Sequence, residues 1–137
     1  MGALENADVP ESRFAIYLAF GTHLSWFIKQ HGISHEITES QFFKFCKEYS
    51  TEWTLTNPSE MSATLIQARI LDKHGDTYSF TYLYAYYYFL GRYTSAFIHK
   101  PEVKEYLQYC MENLYARECA NTLLFLAHHS DNSYVID

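Results

Sequence analysis

A mainly α-helical domain with one short β-hairpin is the fold that this sequence predicts. Tyr78 and Phe80 alternate with polar residues, a period that indicates a strand, and Ile70 and Leu71 supply an apolar pair upstream. A polar turn at residues 74–76 would close a hairpin between them. Helix, hairpin and aromatic helix is the order expected of a wing with its flanking helices. We therefore expect a winged-helix-like helical domain with a short β-hairpin wing, followed by additional packed helices.

An aromatic segment follows the hairpin, and its apolar period changes from that of a strand to that of a helix. Residues 78–97 hold seven of the 13 tyrosines in the chain. A buried tyrosine hydroxyl needs a hydrogen-bond partner, so these rings are expected at the edge of a core or at an interface with another domain. The predicted helical stripe comprises Tyr82, Tyr86, Phe89, Leu90, Tyr93 and Phe97.

Three helices are predicted before the hairpin. Residues 11–30 are apolar on nearly every face, as in a helix that is covered on several sides. Thr38 and Gln41 have the spacing of a capping box, which starts the second helix. Asn57 is typical of an N-cap and Pro58 of a first helical residue, so they mark the start of the third helix. The predicted buried positions are Phe42, Phe45, Cys46, Tyr49 and Trp53 in the second helix and Met61, Leu65 and Ala68 in the third.

Two more helices are predicted after the aromatic segment. Pro101 starts one of them, and a last apolar helix covers Glu118 to His128, before a tail of turn composition. We expect residues 1–10 to be a linker, residues 11–98 to be the winged-helix-like region, and residues 99–137 to start a helical extension packed with it as one domain. The stripe of the helix at Pro101 consists of Val103, Leu107, Cys110 and Leu114.

The composition argues against nucleic-acid binding and against secretion. With 10 basic and 16 acidic residues, the formal net charge is −6, so the chain lacks the positive field that attracts nucleic acid. The three cysteines are odd in number without C-x-x-C spacing, and the N-terminus is polar and acidic, unlike a secretory signal. The aromatic segment approaches membrane-spanning length, but its tyrosines and Arg92 make it a poor hydrocarbon segment. We therefore expect a cytoplasmic protein with no membrane association.

No metal site or cofactor is predicted. His128, His129 and Asp131 come nearest to a metal cluster, because imidazole and carboxylate groups suit zinc. Adjacent histidines on a helix point in different directions, and a histidine near a helix C-terminus is favoured by the helix dipole. The pattern therefore favours a histidine pair at the surface over a ligand set.

No catalytic residue is predicted either. Cys46 and Cys110 fall on apolar stripes, where burial raises the pKa of a thiol and core packing is favoured. Cys119 lies beside Glu118 and is expected to be more open, but nothing marks it as an activated nucleophile. We therefore expect a protein that is not an enzyme.

Binding to DNA is the alternative function, because winged helices often bind DNA. Residues 59–68 would be the recognition helix. They include the acidic residue Glu60, and they contain no basic residue unless Arg69 is counted. The nearby lysines Lys44, Lys47 and Lys73 are interspersed with Glu39, Glu48 and Asp72.

Three stretches carry a family resemblance: ITESQFFKFCKEYSTEW, SEMSATLIQARILDKHGDTYSFTYLYAYYYFLGRY and NTLLFLAHHS. Tyr78, Ser79, Phe80, Tyr88 and Phe89 match a pattern of glycine turn, tyrosine, serine, phenylalanine and aromatic helix. This pattern resembles the region after the ATPase core in NACHT-type STAND nucleoside triphosphatases, and the resemblance spans Ile33 to Ser130. It implies that the chain is the winged-helix and helical part of a larger protein of this kind.

The resemblance has functional implications. Many relatives have a histidine two residues after the matched phenylalanine, where it reaches the phosphates of bound ADP, but this chain has Tyr82 there. The phosphate loop and the Walker acidic residues are absent, so the chain cannot hydrolyse ATP by that route on its own. Bacterial members commonly act in defence against phage.

The function expected from these observations is that of a non-catalytic regulatory and protein-interaction module of a STAND-type signalling ATPase, coupling recognition to oligomerisation. The expected partners are protein domains of the same parent chain or further copies of this chain. The residues predicted to form the interface are Tyr82, Tyr86, Tyr88, Arg92 and Tyr93.

Overall fold

The computed structural model describes residues 14–53 and 58–136, with side chains described except at 51–53, 58 and 130–136. These residues divide into two compact units, the first ending at Tyr82 and the second beginning at Leu83. The first unit contains α1 (Phe14–His31), β1 (Ile37–Thr38), α2 (Glu39–Trp53), α3 (Pro58–Gln67), β2 (Leu71–His74) and β3 (Thr77–Phe80). The second contains α4 (Leu83–Ala96), α5 (Pro101–Glu112) and α6 (Arg117–Ile136). The predicted fold class, mainly helical with a β-hairpin, is confirmed.

The predicted capping box starts α2. The Thr38 N–H donates to Gln41 Oε1 at 2.8 Å, and the Gln41 N–H donates to Thr38 Oγ1 at 3.1 Å. α1 ends before Gly32, where an added Cβ would lie 2.6 Å from the Ile28 carbonyl oxygen and 2.9 Å from that of Glu36. Glycine is therefore required where the chain turns from α1 towards β1.

The sheet has three antiparallel strands in the order β1-β3-β2. The predicted hairpin is present, and Gly75 begins its two-residue loop with a φ of 62°, as in a type II′ turn. Strand β1 was not predicted, because two residues give no alternating pattern. A tight turn precedes it: Ile33 and Glu36 exchange backbone hydrogen bonds, and Ser34 and His35 both have positive φ, as in a type I′ turn.

Helix α3 ends in a Schellman motif that directs the chain into β2. The Ile70 N–H donates to the Leu65 carbonyl at 2.9 Å, and the Arg69 N–H donates to the Ile66 carbonyl at 3.0 Å. Arg69 occupies the left-handed position with a φ of 63°, where glycine is usual. Leu65 and Ile70 are both buried, so the turn is fixed by apolar contact as well as by hydrogen bonds.

Aromatic rings fill the core of the first unit. Phe20 of α1 packs edge to face against Phe45 and Tyr49 of α2, with ring centroids 5.4 and 5.3 Å apart. Tyr78 of β3 stacks on Phe42 with centroids 4.1 Å apart, which joins the sheet to α2. The buried positions predicted in α2 and α3 are confirmed except for Trp53, whose side chain lies outside the described residues: Phe42, Phe45, Cys46, Tyr49, Met61, Leu65 and Ala68.

The second unit contains three helices in succession, and four positions of the predicted aromatic stripe are buried in it: Tyr86, Phe89, Leu90 and Tyr93. The prediction was wrong for Tyr82, which precedes α4 and is 62% exposed, because the helix begins one residue later. The two compact units divide between Tyr82 and Leu83. The domain boundaries expected from the sequence stay a prediction.

The ends of α5 and α6 differ from the prediction. Val103, Leu107 and Cys110 are buried as predicted, but Leu114 lies beyond the end of α5 and is 57% exposed. Helix α6 continues past His128 to Ile136. The tail contains serine, asparagine and aspartate but neither glycine nor proline, and these polar residues weaken a helix by only about 0.5 kcal/mol each.

None of the helices within residues 14–53 and 58–136 combines the length and the apolar character needed to cross a membrane. The aromatic segment, which approached membrane-spanning length in the sequence, is divided between β3 and α4.

A close approach at Gly91 sets the packing of α4 against α6. An added Cβ at Gly91 would lie 2.5 Å from the Cβ of Phe125 and 3.0 Å from the backbone nitrogen of Leu126. Backbone atoms cannot move aside as the end of a long side chain can. The two helices therefore need a residue without a side chain at this position.

We predict that Gly91→Ala lowers the free energy of unfolding by about 1–3 kcal/mol, the usual cost of overpacking, although alanine is the better helix former. Urea denaturation followed by circular dichroism measures this change. Ala96→Ser, which adds one atom at an exposed position of α4, is the matched control and should stay within about 0.5 kcal/mol of the natural chain. An unchanged free energy for Gly91→Ala would contradict the close approach.

Candidate functional site

The five residues predicted to form an interface lie in different environments. Tyr86 and Tyr93 are buried, with 2% and 5% of their surface exposed, and belong to the apolar stripe of α4. Tyr82 is exposed just before the helix, and Tyr88 and Arg92 are half-buried. Of the five, only Tyr82, Tyr88 and Arg92 have surface that a partner could contact. The interface role of the five stays a prediction, in which Tyr86 and Tyr93 would contribute by packing in the core.

Tyr88 and Arg92 belong to a larger surface feature along α4 and α6, which we call the aromatic seam. It consists of Tyr84, Tyr88 and Arg92 of α4 with Phe125 and His129 of α6. The Phe125 ring lies edge to face with Tyr84 at 5.0 Å and with Tyr88 at 5.6 Å between centroids. The Tyr88 ring in turn lies 5.2 Å from that of His129. The seam is thus a continuous row of rings in which no member is fully buried.

The seam is apolar at one end and close to positive charge at the other. Burial lowers the pKa of the His129 imidazole, and the positive charges of Arg92 and His128 lower it further. A hydrogen bond with the Tyr88 backbone acts in the opposite direction. The net effect favours the neutral imidazole, so His129 packs as an aromatic ring near neutral pH.

Sequence reasoning missed three members of the seam: Tyr84, Phe125 and His129. A signal for them was present, because Tyr84, Tyr88 and Arg92 are spaced at four-residue intervals, as are Phe125 and His129, and such residues share a helix face. The stronger buried stripe through Tyr86 obscured this second face. Neither the pattern of α4 nor that of α6 by itself predicts that these two helices pack with these faces together.

A part-buried hydrogen bond between two polar side chains lies elsewhere in the second unit. The Tyr106 hydroxyl donates to Glu118 Oε2 at 2.8 Å. Burial raises the pKa of Tyr106, and the Glu118 carboxylate raises it further, as it does for Tyr86 and Tyr87. These phenols therefore stay protonated, and the hydrogen bond from Tyr106 satisfies a buried hydroxyl rather than preparing a group for proton transfer.

The cysteines are all buried and form no disulfide. Burial raises the pKa of Cys46 to about 12, and burial together with a hydrogen bond to Cys119 raises the pKa of Cys110 to about 12. The expectation that Cys119 is more open was wrong, because it faces Cys110 and is 1% exposed. Thiols with such a high pKa carry almost no thiolate at neutral pH.

The histidine pair within α6 forms no metal cluster with other described side chains. The rings of His128 and His129 are 5.5 Å apart and inclined at 68° to each other. Among the described residues, no group of three or more histidine, cysteine, aspartate or glutamate side chains is placed to hold a metal ion. The side chain of Asp131, the third member considered from the sequence, lies outside the described residues.

Comparison with known proteins gives one family. Residues 35–90 match the model of the family described as Novel STAND NTPase 4. The matched segment begins in the turn before β1, includes the whole sheet and ends within α4, and it amounts to less than half of the chain. Neither the curated proteins nor the solved structures gave a match. The resemblance to STAND NTPases is supported over these residues, and its extension to Ser130 stays a prediction.

We predict that the chain loses stability as the pH falls from 7 to 5, in part because of His129. The folded state lowers the pKa of this imidazole, so the unfolded state takes up the proton first as the pH drops through the usual value of about 6.5. Urea denaturation at a series of pH values measures the loss. His129→Phe, which removes this titrating group, should make the profile flatter. Equal slopes for His129→Phe and the natural chain would contradict the assignment.

Proposed function

We propose that this chain is a non-catalytic regulatory and protein-interaction module of a larger STAND-type NTPase. The observation that carries the proposal is the match of residues 35–90 to a STAND NTPase family. The raised pKa values of Cys46 and Cys110 agree with a role that involves no reaction. In such a protein the nucleotide would be bound by another domain.

A winged-helix assignment for the first unit is part of the proposal. Its support is the order of elements: two helices and a short strand precede α3, and a hairpin follows it. The wing is held to α2 because the Glu39 N–H donates to the Asp76 carbonyl at 2.7 Å and the Lys73 ammonium lies 2.8 Å from the Glu39 carboxylate. The wing would thus move with α2 as one body.

The aromatic seam is the interface that we propose for the neighbouring domain. Tyrosine combines a large apolar ring with a hydroxyl, and both are used when a partner covers the side chain. The rings of Tyr84 and Tyr88 are fixed by Phe125, so a partner would find them already ordered and little conformational entropy would be lost on binding. Tyr82, also exposed, would extend the interface at the start of α4.

The finer features of the proposal follow the family resemblance. We propose a NACHT-type protein in which this module passes recognition of a ligand on to oligomerisation, in bacterial defence against phage. Its partners would be domains of the same parent chain or further copies of it. Three buried cysteines without a disulfide support a reducing, cytoplasmic setting.

We predict that the double variant Tyr84→Ala, Tyr88→Ala binds the NTPase domain encoded in the same reading frame about tenfold more weakly, or worse, than the natural chain does. Removal of two ordered aromatic rings from the centre of an interface has an effect of this size. Titration calorimetry with the purified NTPase domain measures the affinity, and circular dichroism checks that the variant is folded.

Tyr115→Ala is the matched control, because this tyrosine is 88% exposed and its hydroxyl bonds to Asn113 rather than to the seam. It should bind as the natural chain does. Unchanged affinity of the double variant would disprove the interface. A reading frame that encodes no phosphate loop beside this segment would disprove the assignment to a STAND NTPase.

DNA binding is the second candidate, and the hairpin beside α3 is the observation in its favour. Within Ser59–Gln67, α3 carries no basic residue, and Lys73 of the wing is paired with Glu39, so few groups remain for phosphate contacts. Titration with duplex DNA at low and moderate salt decides between the candidates. We expect no specific binding, and specific binding that weakens steeply with salt would favour the DNA-binding regulator.

A further inference from the structure

Two buried thiols meet where α5 and α6 are joined. Cys110 lies in the last turn of α5 and Cys119 in the first turn of α6, and residues 113–116 connect the two helices. Their side chains are 0% and 1% exposed. A side-chain hydrogen bond joins the two thiols, so their sulfur atoms face each other across the helical hairpin. Both cysteines are reduced.

A second contact holds the same two turns together. Tyr106 lies one turn before Cys110 on α5, and Glu118 immediately precedes Cys119 on α6. The Tyr106 hydroxyl donates to Glu118 Oε2 at 2.8 Å. The facing of the two thiols is therefore a consequence of how α5 packs on α6, and it does not rest on the rotamer of one side chain. Sulfur atoms that face each other in this way are what a disulfide bond requires.

We propose that Cys110 and Cys119 form a dithiol site that a small-molecule disulfide, such as oxidised glutathione, converts into a disulfide bond between α5 and α6 within the folded chain. The thiolate of one cysteine attacks the reagent, which forms a mixed disulfide and releases one small thiol. The thiolate of the other cysteine then attacks the cysteine sulfur of the mixed disulfide. The bond between Cys110 and Cys119 forms, and the second small thiol leaves.

The exchange is balanced in electrons and protons. The cysteine pair loses two electrons and two protons, and the reagent takes them up as two thiols. Oxidation would connect α6, which carries Phe125 and His129 of the aromatic seam, covalently to α5. The inference concerns the interior of the second unit and does not depend on the proposed function.

Local opening at the end of the hairpin would give the reagent access. In the closed hairpin both thiols are buried, and burial raises the pKa of Cys110, so neither access nor thiolate is available there. The connection beside them buries little apolar surface, since Leu114 and Tyr115 are 57% and 88% exposed. Opening is therefore least costly at this end, and it would expose both sulfur atoms together. Closing would cover the new bond again.

The experiment incubates the 137-residue chain with oxidised glutathione at neutral pH, blocks the remaining thiols with N-ethylmaleimide in urea and digests the product with trypsin. Cleavage after Lys104 and Arg117 places Cys110 in peptide 105–117 and Cys119 in peptide 118–137. Mass spectrometry should find these two peptides joined, with the loss of two hydrogen atoms, and Cys46 outside any such link. A folded chain that gives no link between these peptides would overturn the proposal, as would links that mainly involve Cys46.

Cys46→Ala is the matched control, because Cys46 is also buried, with its pKa also raised to about 12, but belongs to the first unit. This variant should form the link between Cys110 and Cys119 as fast as the natural chain. Cys119→Ser should form no link and carry glutathione on Cys110 at most.

Urea denaturation followed by circular dichroism tests whether the bond fits the fold. The oxidised chain should keep its helical spectrum and unfold at a higher urea concentration than the reduced chain, because the bond restricts the unfolded state. Dithiothreitol should return the midpoint to that of the reduced chain. A lower midpoint after oxidation, or a loss of helical signal, would show that the bond distorts the hairpin and would contradict the proposal.

Discussion

Packing of aromatic rings against one another is the interaction on which both units depend. In the first unit, Phe20 packs edge to face against Phe42, Phe45 and Tyr49, and Tyr78 of the sheet stacks on Phe42. In the second, Tyr84, Tyr88 and Phe125 repeat this arrangement along two helices. Aromatic pairs have preferred geometries, so they fix the orientation of neighbouring elements as well as bury apolar area. The chain therefore gains specific packing from rings where other proteins use aliphatic side chains.

Backbone geometry determines where those rings meet. Gly91 lets α4 approach α6 closely enough for Tyr88 to reach Phe125, and Gly32 lets α1 end where the chain must turn towards β1. Positive φ angles at Ser34, His35 and Arg69 cost free energy in residues that are not glycine, of the order of 1 kcal/mol each. The surrounding hydrogen bonds and buried side chains offset this cost, because they hold the strands and α3 in the positions that the core requires.

The interior and the surface of this chain differ in their chemical character. Burial raises the pKa of the Cys46 thiol and of the Tyr106 phenol, so both groups stay in their neutral forms. Neutral groups suit packing in the interior. The rings of the aromatic seam, from the half-buried Tyr88 to the exposed Tyr84, have surface that a partner could contact. The interaction module that we propose would use this surface.

Local patterns in the sequence determined the elements of this protein: the capping box of α2, the hairpin around Gly75 and the buried stripes of α2, α3 and α4. These follow from hydrogen bonds and periodicity within a few residues, which is why they were predictable. Strand β1, the burial of Cys119 and the pairing of Tyr88 with Phe125 were decided by the tertiary structure alone. Each depends on residues far apart in the chain, and the free energy that brings them together comes from packing that no short segment encodes.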